Sequence, residues 1–255
     1  MLTRIFLTFT FLWVPLVGLG GCASTGETKE DAEAVFKDAE DAFKDGRYLM
    51  AIEKYRDLRA RYPYSQRAVE SELRVADAHF ALENFIEAEG AYEIFRELHP
   101  GNEKVEYAYF QIALCHFNQI PSSTARDLSA AHRALEAFED LWQKFPSSQY
   151  VPKAKEYYAE ARRKLAEHEN YVAEFYFQRR HYLSASYRYA ALLADYSGLG
   201  MDEQALFNLG KSYFEIRMYS NAQDALTRLM KDYPETTFRS GAEALLANIK
   251  AKKTS

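Results

Sequence analysis

The sequence predicts an all-α protein, a right-handed α-solenoid of about five stacked helical hairpins closed by a C-terminal capping helix. Three observations carry the prediction. The composition, with 48% hydrophobic and 27% charged residues and only 11 Gly and 7 Pro in 255, favours helices over turn-rich sandwiches. One spacing pattern recurs five times, each copy ending on a helix stop. The two places where the period lengthens can each be located, one in a loop and one in a helix.

The chain opens with Arg4, an apolar run over 5–17 and a stretch over 18–21 that is small apart from Leu19. This is the layout of a secretory signal peptide covering residues 1–21. A membrane-spanning helix needs roughly 20 apolar residues, and this run is shorter and holds Pro15. Its end, Leu19-Gly20-Gly21-Cys22, resembles the lipobox of bacterial lipoproteins, in which the cysteine becomes the lipidated first residue of the mature chain. The resemblance implies an N-acyl, S-diacylglycerol modification on Cys22 and no other cofactor. At about 0.8 kcal/mol per buried methylene, one acyl chain holds marginally and three hold almost permanently. In families whose sorting is understood, an Asp after the lipidated cysteine favours inner-membrane retention. Ala23 stands there instead, which points to the outer membrane. Residues 22–30 then read as the lipidated cysteine and a polar, flexible tether.

From 31 to 252 one ruler applies: an alanine, a bulky residue four later, a stop eight later. The copies are Ala51, Tyr55, Pro63; Ala88, Tyr92, Pro100; Ala134, Phe138, Pro146; Ala185, Tyr189, Ser197; and Ala222, Leu226, Pro234. An aromatic ring precedes each stop, at Tyr62, His99, Phe145, Tyr196 and Tyr233, where the next residue breaks the helix. Twelve residues before four of the alanines lies a small residue, Ala39, Ala76, Ala173 or Gly210, which permits close approach of two antiparallel helices. These are the positions of a tetratricopeptide repeat, a helical hairpin of about 34 residues. The fifth copy matches best, through Leu206, Gly210, Tyr213, Ala222, Leu226 and Pro234.

Successive repeat alanines lie 37, 46, 51 and 37 residues apart. In the third repeat the small residue is Ala113, so nine additional residues fall in the loop with Pro121, Ser122, Ser123 and Thr124. The second addition falls in 151–169, which has no internal Gly and reads as four extra helical turns, roughly 21 Å at 1.5 Å per residue. The expected repeats are 31–63, 66–100, 103–146, 168–197 and 202–234, followed by a capping helix from 237 to 252 and a loose tail over 253–255.

The chain resembles the BamD (ComL-like) family of lipoproteins of the outer-membrane β-barrel assembly machine. The resemblance spans most of the mature chain. Beyond the lipobox it rests on Arg61-Tyr62-Pro63-Tyr64-Ser65, on Arg126-Asp127 before the helix with Ala134 and Phe138, and on Phe145-Pro146-Ser147-Ser148-Gln149-Tyr150. The most specific segments are Arg163-Lys164-Leu165-Ala166 and Tyr171-Val172-Ala173-Glu174-Phe175-Tyr176. It implies a scaffold on the periplasmic face of the outer membrane that catalyses nothing. The implied partners are a POTRA-bearing barrel subunit held by C-terminal repeats, unfolded barrel precursors received by N-terminal repeats, and accessory lipoproteins. The loop after the third repeat's first helix departs from the enterobacterial pattern in being shorter, which puts its accessory contacts in doubt. The alternative is another periplasmic repeat protein such as the Tol-Pal-associated division coordinator, which usually carries a coiled coil and no lipobox.

Arg188 matches an arginine that the family places at the POTRA contact; a guanidinium suits paired hydrogen bonds to a carboxylate, and Tyr187 adds contact area. A solvated surface charge is the competing reading. Tyr64, Phe80 and Phe85 are the candidates for a precursor-binding groove, against the alternative that the two phenylalanines pack the core.

Other chemistry finds no support. A formal charge of -5 implies no basic face for nucleic acid. Gly210-Lys211-Ser212 ends like a phosphate loop, but Ala205 stands where such a loop needs glycine. The six histidines form no H-E-x-x-H arrangement. Acid pairs such as Glu30-Asp31 and Glu139-Asp140 read as solvated helix faces. Cys115, left alone once Cys22 is acylated, reads as a small buried apolar residue.

Overall fold

The structure is a computed structural model that describes residues 29–253, with side chains from 32 to 252. Cys22, the leader, most of the tether and the last two residues lie outside the described residues. Within them the chain forms eleven helices and no strand: α1 (Lys29–Lys44), α2 (Tyr48–Arg61), α3 (Gln66–Ala81), α4 (Phe85–Leu98), α5 (Val105–Asn118), α6 (Ser129–Lys144), α7 (Val151–Gln178), α8 (Tyr182–Asp195), α9 (Asp202–Glu215), α10 (Tyr219–Asp232) and α11 (Arg239–Lys253). Each packs on its sequence neighbours, so five hairpins stack in chain order. The solenoid expected from the spacing pattern is the fold observed. Second-neighbour contacts run through the odd-numbered helices, α1 to α3, α5 to α7, α7 to α9 and α9 to α11. Their closer spacing puts the first helix of each hairpin on the inside of the bend.

The ruler residues are fully buried. All five repeat alanines and all five bulky partners, Tyr55, Tyr92, Phe138, Tyr189 and Leu226, have no solvent exposure, and Ala39, Ala76, Ala113 and Ala173 have none either. Burying each of the large partners contributes on the order of 1.5–3 kcal/mol, and each alanine methyl about 0.8 kcal/mol. The ring before each stop ends its helix: Tyr62, His99, Phe145, Tyr196 and Tyr233 share a φ between -127° and -130°. A following proline excludes the helical conformation, yet Tyr196 adopts the same φ before Ser197, so the packed ring contributes to the stop as well.

The other end of the hairpins is closed by a turn that the spacing pattern did not reveal. In repeats one, two, four and five the amide of the third residue after a phenylalanine donates to that phenylalanine's carbonyl, and the next amide donates to the carbonyl before it. The donors are Gly46 and Arg47, Glu83 and Asn84, Arg180 and His181, and Arg217 and Met218. This is the Schellman arrangement, whose central residue is left-handed. Gly46 fills it in the first repeat, but Glu83, Arg180 and Arg217 adopt φ of 58°, 61° and 64°, at a cost of about 1–2 kcal/mol for each L side chain. An aromatic pair clasps each turn: Phe43 with Tyr48, Phe80 with Phe85, Phe177 with Tyr182 and Phe214 with Tyr219, with centroids 5.2 to 5.8 Å apart.

The two additions pack against one another. Helix α7 runs unbroken from Val151 to Gln178, so the fourth hairpin has no helix start at 168: its first helix continues from the extra turns. The loop 119–128 lies on those turns, where Leu128 and Ala131 meet Leu165 beside Ile120. His168 Nδ1 lies 2.5 Å from the Thr124 carbonyl. At the C-terminus α11 lays Ala242 and Ile249 into the core of repeats four and five and covers the apolar face that an unfinished array exposes. The described chain enters α1 at Lys29, two residues inside the stretch assigned to the tether.

Candidate partner-binding surfaces

The inner face of the first two repeats is held by a ladder of charges. Arg67 and Arg74, one heptad apart on α3, each stand between two acids that occupy equivalent positions in neighbouring repeats. Arg67 donates to Glu33 at 2.7 and 2.8 Å and pairs with Glu70, its guanidinium 4.5 Å above Phe36. Arg74 donates to Glu40 at 2.5 and 2.8 Å and to Asp77 at 3.0 Å, 4.2 Å above Phe43. The repeat tyrosines complete the ladder from behind: Tyr55 donates to Glu40, and Tyr92 to Asp77 at 2.7 Å. Tyr107 on α5 also donates to Asp77, at 2.8 Å, and so extends the network into the third repeat. Burial tends to raise the Glu40 carboxyl's pKa, but the hydrogen bonds from Arg74 and Tyr55 outweigh it and hold the value below the ordinary one. Burial and the adjacent carboxylate push the Tyr55 hydroxyl up. Exposed pairs contribute little to stability, and those of Arg67 are exposed; the Arg74 pairs, half-buried and shared between repeats, fix the register of one hairpin on the next.

The structure separates the three groove candidates. Tyr64, fully exposed, sits in the loop between α2 and α3. Phe80 and Phe85 lie together at the far end of α3, 16 residues long and therefore about 24 Å. They are half-buried against the second repeat's core and form the clasp found in three other hairpins, so packing accounts for both rings. Tyr64 is an exposed ring that no packing explains.

On the outer side of the fourth repeat, Tyr187 is 70% exposed. Its neighbour Arg188 is not a free charge: Nη1 pairs with Glu169 of α7 at 3.1 Å. The remaining guanidinium donors have no partner among the described residues, which leaves the fork available for a second carboxylate. Cys115 is fully buried in the second-repeat core, and burial pushes its thiol up to about 12, which makes it unreactive. Among the described residues no group of three or more His, Cys, Asp or Glu is arranged to hold a metal ion, and no helix is long and apolar enough to cross a membrane.

The spacing pattern did not reveal the charge ladder. Its signal was present: acids 37 residues apart at 33 and 70 and again at 40 and 77, each second acid preceded by an arginine three positions earlier.

A family model described as "Outer membrane lipoprotein" (YfiO) matches residues 28–226. The chain belongs to that family. The match begins one residue before the first described helix and ends within α10, so it covers the whole inner-face ladder and both surfaces around Tyr64 and Arg188. Relatives in the family extend the likeness along the chain. "Outer membrane protein assembly factor BamD" of Neisseria gonorrhoeae is 28% identical over 239 residues, covering 87% of this chain and 90% of its own. The protein of the same name from Rickettsia prowazekii is 25% identical over 237 residues, covering 90% and 92%. That from Caulobacter vibrioides is 26% identical over 211 residues, covering 80% and 69%.

Proposed function

We propose that this chain is an outer-membrane protein assembly factor: a lipid-anchored scaffold on the periplasmic face that helps recruit, fold and insert β-barrel proteins and catalyses nothing itself. The observation that carries the reading is family membership together with relatives of that name aligned over most of both chains. A rigid stack of hairpins suits the task, since a curved array presents a long surface to an extended or folded partner without rearranging. Cys22 is the anchor, carrying the acyl chains. Arg188 and Tyr187 meet the POTRA-bearing barrel subunit through the unused guanidinium donors and the exposed ring. Tyr64 meets unfolded precursors at the N-terminal end, where aromatic side chains of a barrel strand find an exposed ring.

The test is purification of the detergent-solubilised chain from its native membrane and identification of what accompanies it. Recovery of a POTRA-bearing barrel supports the proposal; consistent recovery of Tol-Pal components in its place overturns it. Arg188→Glu introduces repulsion with any carboxylate seated there and reduces that recovery, whereas full recovery with an unchanged circular dichroism spectrum removes Arg188 from the interface. Mass spectrometry of the N-terminal peptide reads the anchor directly, and an unmodified Cys22 thiol rejects it.

A further inference from the structure

We propose that the outer face of α4 is a docking site for an amphipathic helix of a protein partner, one that carries basic residues beside its apolar row. An amphipathic surface helix has one apolar stripe, turned to the core; α4 has two. Ala88, Tyr92 and Phe95 supply the first and lie in the second-repeat core. The second is a row at four-residue spacing along the length of the helix, Ile86, Gly90, Ile94 and Leu98. Ile86 is 73% exposed, Ile94 55% and Leu98 62%, and a Cβ added at Gly90 would meet nothing within 4 Å. The equivalent positions of the other outer helices are charged, three of the four in α2, α6 and α10 and one of the four in α8. Stacking of hairpins therefore does not require an apolar row there, and in α4 alone all four places are free of charge.

The charge beside the row decides what covers it. Three residues after Ile86, Gly90 and Ile94 stand Glu89, Glu93 and Glu97, the one run in the sequence of three acids at four-residue spacing. Like charges so spaced destabilise a helix. The chain offsets them in part only. Arg133 and Glu89 each lie 3.4 Å from His116 Nδ1, and Arg96 stands 4.0 Å from Glu93. Glu97 makes no ion pair among the described residues, and α4 as a whole holds four acids against one arginine. An apolar row with an acidic row alongside is complementary to a helix whose apolar ridge fits between them and whose Lys or Arg meet the carboxylates. A second copy of the chain would bring a second acidic row, and an anionic bilayer would add further negative charge, so both are disfavoured. The inference goes beyond the scaffold reading and does not rest on it: Cys22, Tyr64, Tyr187 and Arg188 all lie outside α4.

The experiment places the full chain in phosphatidylcholine nanodiscs, with empty discs as the blank. The probe is a fluorescein-labelled peptide of about 18 residues, long enough to form helix, with Leu on one side and Lys beside it. A peptide of the same composition in scrambled order and one with Glu in place of Lys are the comparisons. Anisotropy shows the first peptide bound, more weakly as salt is raised, and circular dichroism shows it helical when bound. Ile94→Ser with Leu98→Ser weakens binding about tenfold at an unchanged melting temperature, because both side chains are exposed. Glu93→Gln with Glu97→Gln weakens it about fivefold and flattens the salt dependence, with no loss of melting temperature. Leu49→Ser, at the equivalent of Ile86 in α2 and 72% exposed, leaves binding intact. No binding by the wild-type chain, wild-type affinity in the serine double variant, or equal binding of either comparison peptide overturns the proposal. So does light scattering of the detergent-solubilised chain that finds a dimer abolished by the serine pair, which would give the face to a second copy. Recovery of the barrel subunit alongside any of these failures rejects the α4 site and leaves the scaffold reading standing.

Discussion

Gly210 lies directly against Leu226: a methyl group added at Gly210 would stand 2.6 Å from Leu226 Cγ and 2.7 Å from Cδ2. The other four repeats put an alanine at this place opposite a flat ring, Ala39 with Tyr55, Ala76 with Tyr92, Ala113 with Phe138 and Ala173 with Tyr189. A ring can pass a methyl edge-on, while the branched Cγ of leucine cannot. Helix propensity alone favours Gly210→Ala by about 1 kcal/mol, but the overlap in a fully buried site costs about 1–3 kcal/mol. The expected result is a lower melting temperature for Gly210→Ala, and a loss in the Gly210→Ala, Leu226→Ala double variant that is smaller than the sum of the two single losses. A raised melting temperature for the single variant would show that Leu226 moves freely and that the glycine is not required.

Much of this was legible in the sequence, because burial and spacing are the same fact in a hairpin array. Ala51 and Tyr55 are spaced so that both must face the partner helix, and any chain that repeats that spacing five times must bury it five times. The aromatic stops were legible for the same reason. What escaped was set by conformation and by contact across repeats. Nothing in Glu83 or Arg217 advertises a left-handed backbone, since that place is normally marked by glycine and only Gly46 marks it. Phe80 and Phe85 read as groove candidates because a turn clasp and a ligand-facing pair have the same composition. Arg188 reads as a cation suited to a partner's carboxylate, yet its pairing with Glu169 depends on how α8 lies against α7, which spacing along one chain does not encode.

Acid should loosen the N-terminal repeats through Glu40. Its carboxyl titrates below the ordinary 4.5 because the hydrogen bonds from Arg74 and Tyr55 to the ionised form outweigh the opposing effect of burial. For a carboxyl lowered on folding, the stabilisation is complete above the unfolded value and is lost as pH falls through the folded one. Wild-type chain therefore loses stability below about pH 4.5 in part through this site. Glu40→Gln, which retains an acceptor for Tyr55 but no charge for Arg74, is expected to be less stable at pH 7 and to lose less on acidification. Thermal melts between pH 7 and pH 3 measure both. Parallel curves for the two proteins would remove Glu40 from the acid response.

The two additions to the repeat period form one structural unit, and each is expected to depend on the other. Loop 119–128 is tied to α7 at two points: Leu128 packs with Leu165, and the Thr124 carbonyl, which can only accept, receives the proton on His168 Nδ1. Leu165 is 3% exposed, so Leu165→Ala removes buried apolar contact and leaves a cavity, at a cost of about 2–5 kcal/mol. His168→Ala removes one hydrogen bond, worth about 1 kcal/mol, and leaves the helical ruler untouched. Because local opening is governed by local contacts, His168→Ala should speed hydrogen exchange in the loop, at Arg126 for example, whose amide donates to the Ser123 carbonyl. Amides of α9 and α10 should exchange as before. Leu165→Ala should speed the loop further and lower the melting temperature as well. If the loop exchanges at the wild-type rate in His168→Ala, the hydrogen bond does not hold it. If Leu165→Ala leaves the loop unaffected too, the extra turns of α7 are a spacer alone, and the nine residues inserted before α6 require another explanation.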